Sequence, residues 1–274
     1  MSEVTKIAWC DSTFNPWIGC TRIGPGCDNC YAEAQDARMR WDKSTHWGVG
    51  KPRYRTSDSY WRQPLAWNRK AAESGKLWRV FCGSLCDIAD NEVPEQWHHD
   101  LYWLIMQTPY LDWLVVTKRI GNVAKMWPAM ANNLPDNVRL LITVCNQEEA
   151  DRDIPKLLAL PCKNGVSYEP ALGAVDFRFW LYQKYQGAQR AIEWIIVGGE
   201  SGAKARPARI EWFRSTCDQC ASAGVPFFMK QFGANAGTLL RAKDCTWESF
   251  PMKHRAGADP SEWPEDLRVR EFPA

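Results

Sequence analysis

Short continuous apolar runs alternate along the chain with longer segments whose apolar residues recur at helical spacing. Between Val93 and Gln107 one apolar stripe predicts an amphipathic helix; it consists of Trp97, Leu101, Leu104 and Ile105. The apolar runs are unbroken rather than alternating, as expected of buried parallel strands. We predict strands at Lys6–Cys10, Leu77–Cys82, Trp113–Val116, Val138–Val144, Gly165–Tyr168, Ile192–Val197 and Val225–Met229.

Helical segments lie between these strands and would supply their crossovers. Asn146, with Glu149 three residues later, is a predicted helix cap. The polar stretch Asp42–Ser59 is predicted to be a loop. The predicted helices are Asp28–Trp41, Tyr60–Ser74, Val93–Gln107, a helix from Ile120, Gln147–Leu158, Asp176–Gln186 and Ile210–Ala223.

About seven β-then-α units predict an α/β fold. The chain has 274 residues, and (β/α) barrels run to about 250 residues as one unit. We therefore predict a partial or near-complete TIM-like (β/α) barrel over residues 1–232. Residues 233–274 show no clear period and are predicted to be a C-terminal extension packed on the same domain.

Polar residues follow most of the predicted strands. In a parallel barrel these positions share one rim, where such enzymes build their sites. Solvent-exposed loops also carry polar residues, so one or two such strand ends would mean little. Six strand ends followed by charged or hydroxyl-bearing residues favour a functional rim. The rim residues that we single out are Gly83, Ser84, Lys118, Arg119, Thr143, Cys145, Glu169, Glu200 and Lys230.

The composition is that of an ordinary globular protein, with 45% hydrophobic and 24% charged residues. The net charge is only +2, so no bulk positive field indicates a nucleic-acid partner. No apolar stretch reaches the ~20 residues of a membrane-spanning helix. The N-terminal sequence MSEVTKIAWC lacks the apolar core of a signal peptide, so we expect no membrane association and a cytoplasmic location.

The most specific local motif is a loop with three cysteines, Cys20, Cys27 and Cys30, at the spacing C-x6-C-x2-C. The chain has 11 cysteines, an odd number, and we expect them to be reduced, metal-bound or catalytic rather than a disulfide framework. Three thiolates are one short of a closed set of four, which leaves an open position. Tyr31, next to Cys30, is placed to pack beside a bound group.

The spacing alone leaves two kinds of metal site open. One is an iron–sulfur cluster, and the other is structural zinc with a fourth ligand from Cys10, His46 or the Cys217/Cys220 pair. The Cys217/Cys220 pair lies on one face of a predicted helix and is expected to pack as small apolar groups. His98 and His99 lie off the apolar stripe of their helix and are expected to be solvated.

A run of basic residues accompanies aromatic residues early in the chain. This pattern suits phosphate contacts and base stacking, whereas a solvated loop explains it equally well. The basic residues are Arg38, Arg40, Lys51, Arg53, Arg55 and Arg62, and the aromatic ones are Trp41, Trp47, Tyr54, Tyr60 and Trp61.

A set of longer motifs resembles a known family. The motifs are TFNPWIGCTRIGPGCDNCYAE, FCGSLCDIAD, LVVTKR, ITVCNQEEADRDIP, VSYEPALGAVD, IIVGGESGAKARP and DQCASAGVPFFMKQFG. In this order, between Ile7 and Gly233, they resemble the three-cysteine phage protein family, a radical S-adenosylmethionine (radical SAM) branch. Some of its members resemble isomerases that rearrange an amino acid attached to thymine in phage DNA.

The resemblance implies a barrel of the radical SAM type with a [4Fe–4S] cluster on Cys20, Cys27 and Cys30. It implies that S-adenosylmethionine (SAM) binds the fourth iron and is cleaved to a 5′-deoxyadenosyl radical. The implied cofactor-binding residues are Tyr31, Gly83, Ser84, Arg119, Thr143 and Glu169. The implied catalytic residues are Lys118, Cys145, Glu200 and Lys230. Lys118 and Arg119 are the alternative candidates for binding the carboxylate of SAM or a substrate phosphate.

The resemblance also implies partners, namely modified DNA and an external electron donor, and the host cytoplasm if a phage encodes the chain. Its oligomeric state stays open. Relatives often have Asn-Ser-Met-Ser-Asp where this chain has residues 83–87, a glutamate in place of Cys145, and a small residue in place of Tyr168. These departures leave the substrate open, including a free small molecule or a protein. The alternative function is a zinc-bound, non-catalytic nucleic-acid-binding or interaction protein.

Overall fold

The computed structural model describes residues 5–39, 41–126, 134–182, 190–241 and 246–273. The chain divides into two compact units. The first unit comprises residues 1–142 and 160–163, and the second comprises residues 143–159 and 164–274. This division does not test the predicted boundary at residue 232, which stays a prediction.

The first unit contains four parallel strands in the order β1-β4-β5-β6. A separate two-strand pair joins β2 and β3. The strands are β1 (Ser12–Phe14), β2 (Trp17–Ile18), β3 (Tyr54–Arg55), β4 (Trp78–Cys82), β5 (Leu111–Thr117) and β6 (Val138–Thr143, whose last residue begins the second unit). The helices are α1 (Tyr31–Met39), α2 (Asp58–Trp61), α3 (Gln63–Ser74), α4 (Glu95–Met106) and α5 (Ile120–Met126).

Among its described residues, the second unit contains three parallel strands in the order β7-β8-β10 and a smaller three-strand sheet in the order β12-β11-β9. Its strands are β7 (Lys163–Tyr168, whose first residue belongs to the first unit), β8 (Ile195–Gly198), β9 (Ala208–Arg209), β10 (Phe227–Gln231), β11 (Ala236–Arg241) and β12 (Thr246–Ser249). Its helices are α6 (Gln147–Leu158), α7 (Arg178–Leu181) and α8 (Ile210–Ala223). Parallel strands joined by helices confirm the predicted α/β fold class and its partial TIM-like sheet.

Most of the predicted helices and strands are present in the structure. Their buried faces are mainly apolar, which is why the sequence pattern predicted them. Every residue of β6 is buried, including Arg139 within its otherwise largely apolar run. On α4, Leu101, Leu104 and Ile105 are buried as predicted. Asn146 caps α6, since its side chain accepts a hydrogen bond from the Glu149 amide at 3.0 Å.

The predicted first strand, Lys6–Cys10, is wrong. The strand is β1 at Ser12–Phe14, whereas the preceding segment forms turns, such as the one closed by the Cys10 amide on the Ile7 carbonyl. Phe14 decides the position because it is fully buried, with its ring 5.1 Å from Tyr60 and 5.7 Å from Trp113. Trp9 of the earlier run is also buried, with its ring centroid 4.5 Å from that of Phe81, but it does not pair in a strand.

Three other boundaries differ from the predictions. The predicted helix Tyr60–Ser74 is two helices, α2 and α3, and Pro64 near the start of α3 has no amide hydrogen to continue α2. The predicted loop Asp42–Ser59 contains β3 and the start of α2. The predicted helix Asp176–Gln186 is only the four residues of α7 among those described, and residues 183–189 lie outside them.

The described residues after 232 belong to the second unit and contact β10 and the residue that follows it. The Phe232 and Trp263 rings stack at 5.4 Å, and the Val269 carbonyl accepts a hydrogen bond from the Met229 amide on β10. Two short 3-10 helices, Pro260–Glu262 and Glu265–Leu267, lie in this segment. No described helix is both long enough and apolar enough to cross a membrane.

His98 is buried, which corrects the expectation that both histidines of α4 are solvated, whereas His99 is exposed as expected. The His98 ring contacts the Trp17 ring edge-on, with centroids 5.1 Å apart. Burial lowers the pKa of His98 from 6.5 to about 4, because the interior disfavours the charged imidazolium.

This buried histidine predicts a pH-dependent stability. As the pH falls from about 6.5 to about 4, the unfolded chain binds a proton that the folded chain does not bind, so the free energy of unfolding decreases by up to about 3 kcal/mol. We expect the free energy of unfolding, measured with denaturant at several pH values in this range, to fall less steeply with decreasing pH in His98→Gln than in the wild type. His99→Gln is the matched control and should keep the wild-type slope. An unchanged slope in His98→Gln would contradict the assignment.

Candidate functional site

The three cysteines of the loop lie within one short stretch of the first unit. Cys20 follows β2, Cys27 ends a 3-10 turn at Pro25–Cys27, and Cys30 immediately precedes α1. Cys27 is buried, Cys20 and Cys30 are half-buried, and all three are free thiols. Gly19, before Cys20, has φ +113°, and a Cβ there would lie 2.4 Å from the His46 carbonyl oxygen, so the loop needs glycine at this point.

A buried Asp36–His46 pair holds one side of the loop. One Asp36 oxygen lies 2.8 Å from His46 Nδ1, and the other accepts a hydrogen bond from the His46 amide at 2.9 Å. The segment that follows His46 also contacts the loop, because the Gly48 amide donates to the Cys20 carbonyl at 2.9 Å. Helix α1, which begins after Cys30, is thereby tied to the backbone beside Cys20.

Arg53 organises the other side of the loop. Its side chain is fully buried, and all three of its nitrogens donate hydrogen bonds. Nε contacts Asp90 at 2.7 Å, and Nη2 contacts Glu92 at 2.6 Å and the Thr21 hydroxyl at 2.8 Å. Nη1 contacts three backbone carbonyls, those of His46, Gly48 and Lys51.

The segment after β4 lies against the segment after β1. The buried Asn15 side chain accepts a hydrogen bond from the Leu85 amide at 2.7 Å and donates to Ser84 Oγ at 2.9 Å. The Tyr31 hydroxyl donates to the Ser84 carbonyl at 2.7 Å, while much of the Tyr31 side chain stays exposed. Gly83 has φ +97°, and a Cβ there would lie 2.9 Å from Ile88, so this close turn requires glycine.

Arg119 links the end of β5 to the cysteine loop. Its Nη1 donates to the Cys20 sulfur at 3.2 Å and to Asp87 Oδ2 at 2.9 Å. Its Nη2 donates to the Thr21 carbonyl. Asp87 also accepts hydrogen bonds from the Thr117 hydroxyl at 2.6 Å and the Lys118 amide at 3.0 Å. The Arg119 and Asp87 side chains are both nearly buried.

The electrostatics at Cys20 favour the protonated thiol. Burial and the nearby Asp87 carboxylate raise the pKa of Cys20 to about 12, and Arg119 offsets part of this effect. The pKa of Arg119 is itself raised, because Asp87 and Cys20 outweigh the effect of its burial. Metal binding at Cys20 would therefore release a proton.

Among the residues that the structure describes, no three His, Cys, Asp or Glu side chains are grouped so that they could hold one metal ion. The cysteine loop is therefore not preformed as a single-ion site. The donor chemistry of the loop is nevertheless that of soft metals, since its three cysteines supply sulfur, which favours zinc and iron–sulfur clusters.

The second unit places two ion pairs at the ends of its parallel strands. Lys230 on β10 contacts Glu169, after β7, at 2.5 Å, and both side chains are partly exposed. Glu200, after β8, is buried, and both of its carboxylate oxygens accept hydrogen bonds from Arg206.

Two further predicted residues of the second unit are buried. Thr143 ends β6 and is only 5% exposed. Cys145 has no exposed surface, and its amide donates to Glu149 at 2.8 Å. The structure thus pairs Glu169 with Lys230, and it engages Glu200 with a residue that was not predicted.

The profile of the DUF5131 family, described as a protein of unknown function, matches residues 4–256. The chain belongs to the DUF5131 family. All thirteen predicted site residues of this DUF5131 chain lie within the matched range. No protein with a curated description matches the sequence.

Two solved structures are similar to this DUF5131 chain, and both are spore photoproduct lyase variants. One, with bound AdoMet and dinucleoside spore photoproduct, has a TM-score of 0.43 at 13% identity and is matched over 78% of this chain. The other has a TM-score of 0.41 at 14% identity and is matched over 71% of this chain. The DUF5131 chain spans only 54% and 59% of the length of these two lyases.

The basic run of the DUF5131 chain, which suits phosphate contacts or a solvated loop equally well, is exposed only in part. Arg53 is buried in the frame of the loop, and Arg55 pairs with Asp58 and Asp100 while its guanidinium lies 4.2 Å from the Trp61 ring centroid. Tyr60 and Trp61 are buried and cannot stack on a base. Arg38, Lys51 and Arg62 are exposed, and Arg40 lies outside the described residues.

Sequence reasoning did not single out Asn15, Asp36 or Asp87, which help to fix the loop of this DUF5131 chain. It placed Arg53 in the basic run, whereas the structure places it in the frame of the loop. The only local signal was the position of Asn15 and Asp87 shortly after a strand, where site residues of parallel sheets concentrate.

Proposed function

We propose that this protein is a radical SAM enzyme that holds a [4Fe–4S] cluster on Cys20, Cys27 and Cys30. The observation that carries the proposal is the held loop with its three free thiols: Arg119 donates to the Thr21 carbonyl and Arg53 to the Thr21 hydroxyl, just after Cys20, and Asp36 ties α1, which follows Cys30, to His46. When bound, cluster and SAM would supply reductive cleavage of SAM to methionine and a 5′-deoxyadenosyl radical that abstracts hydrogen from the substrate.

The residues around the loop would bind and orient the cofactor. Tyr31 offers an exposed aromatic face beside Cys30, and Gly83 and Ser84 form a tight turn next to it. Lys118 follows β5 in the same unit. In the second unit, we assign Thr143 and Glu169 to the ribose hydroxyls of SAM.

We assign substrate orientation and proton handling to Glu200 and Lys230. The Glu169–Lys230 pair is partly exposed, which leaves its charges accessible to a polar substrate group. Cys145 stays a candidate catalytic residue of the same unit, although it has no exposed surface in this structure.

Anaerobic reconstitution with iron and sulfide tests the cluster directly. We expect a brown protein with broad visible absorption and about four irons per chain, as a [4Fe–4S] cluster requires. A colourless protein that holds one zinc ion would instead establish the alternative, a non-catalytic zinc-binding protein.

We further propose that the substrate is an amino-acid-modified thymine in phage DNA, which the enzyme rearranges as an isomerase. The family resemblance supports this substrate, and the exposed cations Arg38, Lys51 and Arg62 are available for phosphates. A base in a duplex must be flipped out or single-stranded to reach a buried site, at a cost of a few kcal/mol.

DNA binding of this kind predicts a steep dependence on salt. For a short duplex oligonucleotide, the logarithm of the binding constant should fall with the logarithm of salt concentration by about 0.9 per phosphate contacted. Lys51→Ala should reduce the size of this slope by about 0.9, the contribution of one phosphate contact. Arg178 is an exposed arginine of the second unit, and Arg178→Ala should leave the slope unchanged. Binding that is absent at low salt, or indifferent to salt, would redirect the search to a free small molecule or a protein.

A further inference from the structure

We infer that Arg119 is a positioning residue that tunes the reduction potential of the cluster through Cys20. The inference rests on the proposed function, because it requires Cys20 to be a cluster ligand. It reassigns Arg119, which the sequence placed at the carboxylate of SAM or at a phosphate.

The geometry fixes the guanidinium against the ligand. Nη1 of Arg119 lies 3.2 Å from the Cys20 sulfur and 2.9 Å from Asp87, and Nη2 reaches the Thr21 carbonyl of the same loop. Only 8% of the Arg119 side chain and 6% of the Asp87 side chain are exposed. A guanidinium that already contacts three groups is poorly placed to take a carboxylate from a new ligand.

Asp87 holds this arrangement from behind. Oδ2 of Asp87, which contacts Arg119, also accepts a hydrogen bond from the Lys118 amide. Oδ1 accepts hydrogen bonds from the Thr117 hydroxyl at 2.6 Å and from the Ala89 amide. The carboxylate is thus held both by its own turn and by residues at the end of β5. Partners of this kind orient the groups that bind a metal and adjust its properties.

The expected effect follows from the charge of the cluster. Reduction adds one electron from the external donor, and a nearby cation with an N–H donor on a ligand sulfur stabilises the more negative, reduced state. Arg119 should therefore raise the reduction potential and make the cluster easier to reduce.

The test is an anaerobic redox titration of reconstituted protein, followed by electron paramagnetic resonance, with iron content and circular dichroism measured on each sample. We expect Arg119→Gln to retain iron and to shift the midpoint to more negative potential. The shift should reach at least a tenfold lower ratio of reduced to oxidised cluster at a fixed potential, equivalent to ~59 mV for one electron. Arg119→Lys keeps the charge but loses the planar fork, so its midpoint should lie between the two.

The matched control is Arg152→Gln, which removes an arginine paired with Asp153 on α6 and should leave the midpoint unchanged. A wild-type midpoint in iron-loaded Arg119→Gln would overturn the inference and leave the proposed function intact. If Arg119→Gln does not retain iron, the Arg119→Lys variant decides the question. A wild-type midpoint potential in Arg119→Lys would then also overturn the inference. A wild-type protein that takes up no cluster would overturn both proposals.

Discussion

The alanine variants of Cys20, Cys27 and Cys30 are each expected to lose the cluster, with iron after reconstitution falling to background. Each residue supplies one of the three thiolates that would hold the cluster, so each alanine variant leaves only two of them. The measurement is iron and sulfide per chain, with visible absorption, for each variant beside the wild type.

The control for these variants is Cys162→Ala. Cys162 is also a buried cysteine of the first unit, but it lies far along the sequence from the loop, just before β7. Its alanine variant should keep wild-type iron. Full iron in any of the three loop variants would show that the ligand assignment is wrong. We also expect Cys245→Ala to keep wild-type iron, although Cys245 lies outside the residues that the structure describes.

The largest expected effect on stability is that of Arg53→Met. Methionine keeps much of the volume but removes the charge, so the buried Asp90 carboxylate loses its contact at 2.7 Å and three carbonyls lose a donor. Removing one partner of a buried pair costs about 3–5 kcal/mol, because the other charge stays buried. Denaturant unfolding at neutral pH should show a decrease of this size in the free energy of unfolding.

Arg22→Met is the control for this prediction. Arg22 belongs to the same loop and also pairs with a carboxylate, that of Glu33, but its side chain is exposed. Exposed pairs contribute little, so its unfolding midpoint should match that of the wild type. If Arg53→Met and Arg22→Met unfold alike, Arg53 does not hold the loop as described.

The sequence predicted the elements whose burial is visible in local pattern. The apolar runs of β4, β5 and β6 and the stripe of α4 are each complete within a few residues, so their positions follow from local hydrophobicity. The first strand was misplaced because Trp9 is apolar and buried without pairing in a strand, while the deciding contacts of Phe14 come from distant residues.

The frame of the candidate site could not be predicted from local sequence. Arg53 lies in a polar stretch, where a charged side chain is normally solvated, and only the fold places Asp90 beside it. The contact between Cys20 and Arg119 joins residues 99 positions apart. The sequence assigned Cys20 to the cluster and Arg119 to the cofactor. It did not predict their contact with each other, because the two residues follow different strands that only the fold brings together.

Cleavage of SAM by the reconstituted, chemically reduced protein under anaerobic conditions tests whether this protein is a radical SAM enzyme. We expect the wild type to form methionine and 5′-deoxyadenosine, measured by liquid chromatography and mass spectrometry, and the Cys20→Ala, Cys27→Ala and Cys30→Ala variants to form neither. Cys162→Ala should behave as the wild type. A wild-type protein that carries a full [4Fe–4S] cluster yet neither binds nor cleaves SAM would contradict the account.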